Sequence, residues 1–79
     1  MGTTTADVEI DARGSFCPGP LMEMIKAVRQ SDVGTKIAVL SRDPGSRTDI
    51  PAWVKKAGHD LVAVEDADDY ARFVVEKTH

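Results

Sequence analysis

The residue type best able to do covalent chemistry occurs once in this chain: Cys17, in the tetrapeptide Cys17-Pro18-Gly19-Pro20. Proline is favoured at the first position of a helix, where its fixed φ suits the turn and its missing N–H costs nothing. Pro18 therefore places Cys17 at or beside a helix N-cap, with Pro20 one turn position further on. Free backbone N–H groups and the positive end of the helix dipole favour an anion there. A thiol in such a place can have its pKa lowered from about 8.5 into the range ~3.5–7.5, and the thiolate is the form that attacks sulfur. The competing reading is a small apolar core filler, a common role for free cysteine. Cys17 lies outside the core-facing set Leu21, Met24, Ile25 and Val28, which favours the reactive reading.

Other candidate residues read more plainly. Arg13, Arg42 and Arg47 fall on loops expected around Cys17. They suit contacts to an anionic sulfur donor such as thiosulfate, or equally the role of solvated loop charges. Asp43 is expected to cap its turn and Trp53 to sit in the core. His59 follows a helix C-terminus, where a cation complements the dipole, so it is given a structural role. The acidic run Glu65, Asp66, Asp68 and Asp69 reads as a solvated loop.

Composition sets the bounds. The chain has 79 residues, 42% of them hydrophobic, which suits one small globular domain. One cysteine closes no internal disulfide, and Cys17, His59 and His79 are too few for a structural zinc site. Neither metal nor cofactor is expected. Ten basic and 13 acidic residues, net −3, argue against direct nucleic-acid binding, which needs a basic face. No apolar run approaches the ~20 residues of a membrane span, and residues 1–6 show no secretory signal, so a cytoplasmic protein is expected.

These residues need elements to position them. Asp7 to Asp11 alternates as a strand does; Leu21, Met24, Ile25 and Val28 mark a helix over about 18–30. Lys36 to Leu40 reads as a second strand with Ile37 and Val39 inward, and Pro44-Gly45 as a turn. Ile50, Trp53, Val54 and Ala57 mark a second helix, capped by Ser46 or Thr48 and closed by Gly58, with Pro51 tolerable only near its first turn. Asp60 to Glu65 and Tyr70 to Glu76 form a hairpin. The order β-α-β-α-β-β implies an α/β two-layer sandwich: a four-stranded mixed sheet with both helices on one face. Residues 1–6 are expected as a flexible tail and 7–79 as a single domain. If the first two strands are parallel, loops 12–17 and 41–48 become neighbours at one end of the sheet.

The chain resembles the TusA-like (SirA-like) sulfur carriers. The resemblance rests on Asp11-Ala12-Arg13-Gly14, Cys17-Pro18-Gly19-Pro20-Leu21-Met22, Asp43-Pro44-Gly45-Ser46, Asp49-Ile50-Pro51 and Gly58-His59, in that order. One departure stands out: Ser15 replaces the usual Leu after the Arg-Gly pair, leaving Phe16 alone to anchor the loop. The resemblance implies that Cys17 takes up sulfane sulfur as a persulfide (or thiosulfonate) and relays it. The donor would be a cysteine desulfurase or rhodanese-like protein, the acceptor a DsrE-like protein. The recipients would be tRNA thiolation, molybdenum-cofactor or sulfur-oxidation pathways. A small carrier has reason to be monomeric, so that its tip can enter other active sites. The competing functions are a thiol redox sensor or single-cysteine peroxidase acting through a Cys17 sulfenic acid, and a regulatory interaction module that does not use Cys17.

Overall fold

The computed structural model describes residues 5–15 and 19–79. Its elements run β1 (Val8–Asp11), α1 (Gly19–Gln30), β2 (Lys36–Ser41), α2 (Ser46–Ala57), β3 (Asp60–Asp66) and β4 (Ala71–Glu76). The order is the β-α-β-α-β-β expected from the sequence. One sheet contains all four strands, in the order β1-β2-β4-β3. β1 and β2 are parallel, with Ile10 opposite Val39. β4 is antiparallel to both β2 and β3. The sheet is therefore mixed.

Strand alternation decides which side chains meet the helices. Ile37, Val39, Phe73, Val75 and Ala71 share a core with Met24 and Val28 of α1 and Ile50 and Val54 of α2. Both helices thus cover the same face. Trp53 packs on the border of this core, half-buried rather than central. The opposite face differs from the sequence expectation: Ala38 and Leu40 are buried as well as Ile37 and Val39. β2 is an inner strand, flanked by β1 and β4, so neither of its faces is open at the margins. Arg72 spans that face, its Nε 2.9 Å from Glu9 Oε1 on β1 and its Nη1 2.7 Å from Glu65 Oε1 on β3. Burial works against the Arg72 charge, but the two carboxylate hydrogen bonds outweigh it and its pKa is raised.

The second helix starts and ends in ways that only partly follow its sequence signals. Neither Ser46 nor Thr48 caps it; Gly45 precedes it, without a side-chain cap, and Ser46 is its first residue. Ser46 is fully buried, and its hydroxyl lies 2.8 Å from that of Ser41. Pro51 stands inside the helix, past the first turn. Its ring leaves the Arg47 carbonyl without the N–H it would ordinarily accept. The C-terminus is a Schellman closure. Gly58, at φ 82°, donates to Lys55 O, and His59 N–H reaches back to Val54 O.

Candidate functional site

The parallel pairing of β1 and β2 sends the chain out of both strands at the same end of the sheet. The bond from Ala12 N–H to Leu40 O, 2.9 Å, ties the two exits together. β3 also ends there and β4 begins there, since Ser41 and Asp66 both register on Ala71. The described parts of the loops leaving β1 and β2, the start of each helix and the β3–β4 turn therefore converge. Cys17 and Pro18 lie outside the described residues, as does Phe16. The residues on either side of them are fixed.

On the β1 side, Arg13 and Gly14 form a turn, closed by Ser15 N–H on Ala12 O at 3.0 Å. α1 opens at Gly19, and Pro20 is already buried against the body. Pro20 has no N–H, so the donors of the first turn are those of Gly19, Leu21 and Met22. The start of α2 is different. Its first N–H groups are taken: Ser46 by Asp43 O, Arg47 by Pro44 O, and Thr48 and Asp49 by Gly45 O. Asp43 Oδ1 also accepts Gly45 N–H at 3.1 Å, which is the turn-capping role expected of it. Of the two helix starts brought to this end, the α2 terminus is closed on its own loop.

All three candidate arginines reach this end, and each already holds a carboxylate. Arg13 grips Asp11 with two hydrogen bonds, Nε at 2.8 Å and Nη2 at 2.7 Å, and its guanidinium lies 5.0 Å from the Tyr70 ring centroid. The hydrogen bonds from the Arg13 side chain and backbone lower the Asp11 carboxyl to about 2 and push the Arg13 pKa up. Arg42 pairs with Asp69 at 3.2 Å, and Arg47 with Asp66. Arg42 and Arg47 remain half exposed. An anion coming to either must compete with an acidic group of the β3–β4 hairpin. With Glu65 on Arg72, three carboxylates of the acidic run are thus ion-pair partners and not simply solvated charges.

The sequence offers a local signal for one of these pairs, Asp11 and Arg13 at i, i+2, but none for the other two, which depend on sheet order. The Ser41–Ser46 hydroxyl pair carries no charge or motif that would have marked it. His59 keeps its structural place, with its charged form disfavoured. Burial first, then the nearby His79 and Lys77, lower its pKa, while Asp60 opposes them. The ring accepts Thr78 N–H on Nδ1 at 3.1 Å and stacks on His79 at 4.6 Å.

No group of three or more His, Cys, Asp or Glu side chains among the described residues is arranged to hold a metal. No described helix is long and apolar enough to cross a membrane. A cleft of about 270 Å³ opens on the helix-free face beside the hairpin turn, lined by Glu9, Leu40, Glu65, Tyr70 and Arg72 among others.

Comparison with known proteins gives one consistent picture. The family model described as sulfurtransferase TusA matches residues 8–77. A protein of Archaeoglobus fulgidus named for a sulfur-carrier role is 61% identical over 89% of this chain and 96% of its own length. The sulfur carrier protein TusA of Pseudomonas syringae is 43% identical over 82% of this chain and 76% of its own. In structure, the chain is similar to a SirA-like protein from Desulfitobacterium hafniense. The TM-score is 0.78 at 22% identity, covering 91% of this chain and 99% of the other. That likeness shows a shared fold.

Proposed function

The chain belongs to the TusA sulfurtransferase family, and from that premise we propose that it is a sulfur carrier whose cargo rides on Cys17. It works with partner proteins in a relay, as such carriers do. In the charging step the Cys17 thiolate attacks the outer sulfur of a donor persulfide. A new S–S bond forms at Cys17, the donor's S–S bond breaks, and the donor leaves as a thiolate. In the discharging step an acceptor thiolate attacks the outer sulfur of the Cys17 persulfide and Cys17 leaves as a thiolate. Two S–S bonds form and two break, so the relay needs no external oxidant or reductant.

The observation that carries this reading is the family match over nearly the whole chain, with the single cysteine in the Cys17-Pro18-Gly19-Pro20 segment. The surroundings support it. α1 opens at Gly19, two residues after Cys17, and its first-turn donors favour a thiolate or persulfide anion. Arg42 and Arg47, at the end of the sheet where both helices start, are half exposed and suit contact with an anionic donor once their carboxylates are displaced. The donor is a cysteine desulfurase or a rhodanese-like protein, and the acceptor is DsrE-like. Intact-mass spectrometry after incubation with a cysteine desulfurase and cysteine tests the assignment. The wild type should gain one sulfur and Cys17→Ser none. A sulfur gain on Cys17→Ser would overturn it.

A further inference from the structure

β1 is paired on one side only. β2 holds its inner side, and no strand among the described residues lies on its outer side. Such an edge presents a row of backbone N–H and C=O groups open to another strand. A groove lies beside it. A cleft of about 320 Å³ opens between β1 and α1, lined by the apolar Val8, Ile10 and Ala27 and the polar Glu23, Lys26 and Gln30. Val8 is left 37% exposed there.

Alternation sends the remaining side chains of β1 to the opposite face of the sheet. Asp7, just before the strand, and Glu9 and Asp11 within it are all exposed. Each has a partner in the chain: Asp7 Oδ2 accepts Lys36 N–H, Glu9 holds Arg72 and Asp11 holds Arg13. An ionised carboxylate has about four acceptor sites, so each can take a further donor. A strand complementary to this edge therefore has apolar side chains on the groove side and cations alternating with them on the other. A second copy of this chain does not fit. β1 laid on β1 sets carboxylate against carboxylate, and like charges directly opposite are destabilising. β3, the other edge of the sheet, carries Asp60, Glu65 and Asp66 and supplies no cation either.

We propose that the outer edge of β1 and the groove beside α1 form a docking site for an extended segment of a partner protein in which apolar and basic residues alternate. The segment adds to the sheet as a further strand: main-chain hydrogen bonds hold it, while the groove and the carboxylates select its side chains. The site is independent of the sulfur chemistry and is tested without it.

The probe is a capped synthetic peptide of alternating lysine and valine, long enough to span β1. It is titrated into the isotope-labelled full chain and followed by NMR amide shifts and amide hydrogen exchange. Shifts should gather on Val8 to Asp11 and on Glu23, Lys26, Ala27 and Gln30. At saturation, exchange in β1 should slow severalfold as its open edge gains a partner strand. Raising the salt from about 0.1 M to about 1 M shortens the screening length from ~10 to ~3 Å and should weaken binding severalfold. A peptide of alternating glutamate and valine should bind severalfold more weakly than the lysine peptide. Ala27→Leu fills the groove and Glu9→Gln removes a charge facing the peptide, and each should also weaken binding severalfold. Ala27 touches the core as well, so Glu9→Gln decides if thermal melts show Ala27→Leu to be unfolded.

An absence of shifts in β1 would make the acidic edge a guard against strand pairing and overturn the proposal. Equal binding of the glutamate peptide, or undiminished binding by folded Glu9→Gln, overturns it too. So do β1 shifts that appear on concentrating the protein alone, which would make a second copy the occupant.

Discussion

Ser41 Oγ and Ser46 Oγ lie 2.8 Å apart, both buried, across the loop that joins β2 to α2. Ser41 Oγ also accepts the N–H of Asp43 at 3.1 Å. The last residue of β2 and the first residue of α2 are thereby tied together, with the turn carrying Arg42 held between them and Arg47 next along α2. Replacing Ser41 with Ala removes both bonds and leaves the Ser46 hydroxyl buried without its partner. An unsatisfied buried group costs about 1–3 kcal/mol, so Ser41→Ala should lower the unfolding free energy measured in urea by that amount. Ser46→Ala leaves Ser41 its bond from Asp43 and should cost less. Equal losses would show that the hydroxyl pair does not act as described.

Arg72 is 12% exposed and spans the helix-free face between Glu9 and Glu65. Arg72→Met keeps the apolar stem and removes the charge. Two carboxylates then share that face without their common cation, and a hydrogen bond to a charged group contributes about 1.5–3 kcal/mol. Denaturant unfolding should show a loss of about that size. Glu9→Gln, whose side chain is 53% exposed, should lose much less.

The pattern of agreement between sequence and structure has a physical reason. Helix and strand positions were legible because Leu21, Met24 and Val28, or Ile50 and Val54, repeat at the period of one buried helix face. Gly58 marked its helix end because the left-handed conformation there favours glycine. The start of α2 was not legible: Ser46 has the chemistry of a cap, but burial and the Ser41 hydroxyl claim its side chain for another purpose. Ala38 and Leu40 looked outward under a two-period rule that takes only one face of a strand to be covered. The three arginines were correctly brought to one end by the parallel β1–β2 pairing. Their carboxylate partners were hidden because Asp66 and Asp69 become neighbours of Arg47 and Arg42 only once β4 is inserted between β2 and β3.

Burial first, then His79 and Lys77, lower the His59 pKa. A histidine with a lowered folded-state pKa contributes stability above its unfolded value of 6.5, and that contribution is lost as the pH falls below it. The melting temperature should therefore drop between pH 7 and pH 5. His59→Asn keeps an acceptor for Thr78 N–H but does not titrate, and should flatten that slope. An unchanged slope in His59→Asn would assign the pH dependence to other groups.

Asp11 behaves in the same direction at lower pH. Its folded pKa of about 2 lies below the ordinary 3.8, so its contribution is complete above about pH 4 and disappears as the pH falls toward 2. Asp11→Asn should make the acid limb of the stability curve shallower between pH 4 and pH 2 and leave the slope between pH 5 and pH 7 unchanged. Acid titrations followed by circular dichroism would separate this effect from that of His59.

The arginine pairs beside the β3–β4 turn yield the sharpest functional prediction. Arg42 with Asp69 and Arg47 with Asp66 are exposed ion pairs, a class worth only about 0–1 kcal/mol each. Asp66→Asn/Asp69→Asn should therefore barely alter the melting temperature. It also frees two guanidinium groups and removes two negative charges at the end of the sheet where both helices start. If those arginines receive an anionic donor, the double variant should take sulfur faster from a thiosulfate-charged rhodanese-like protein. The gain should shrink as salt screens the exposed charges. Arg42→Gln/Arg47→Gln should slow the same reaction. Uptake that is indifferent to both double variants would make Arg42 and Arg47 surface charges held by the hairpin, with no part in receiving the donor.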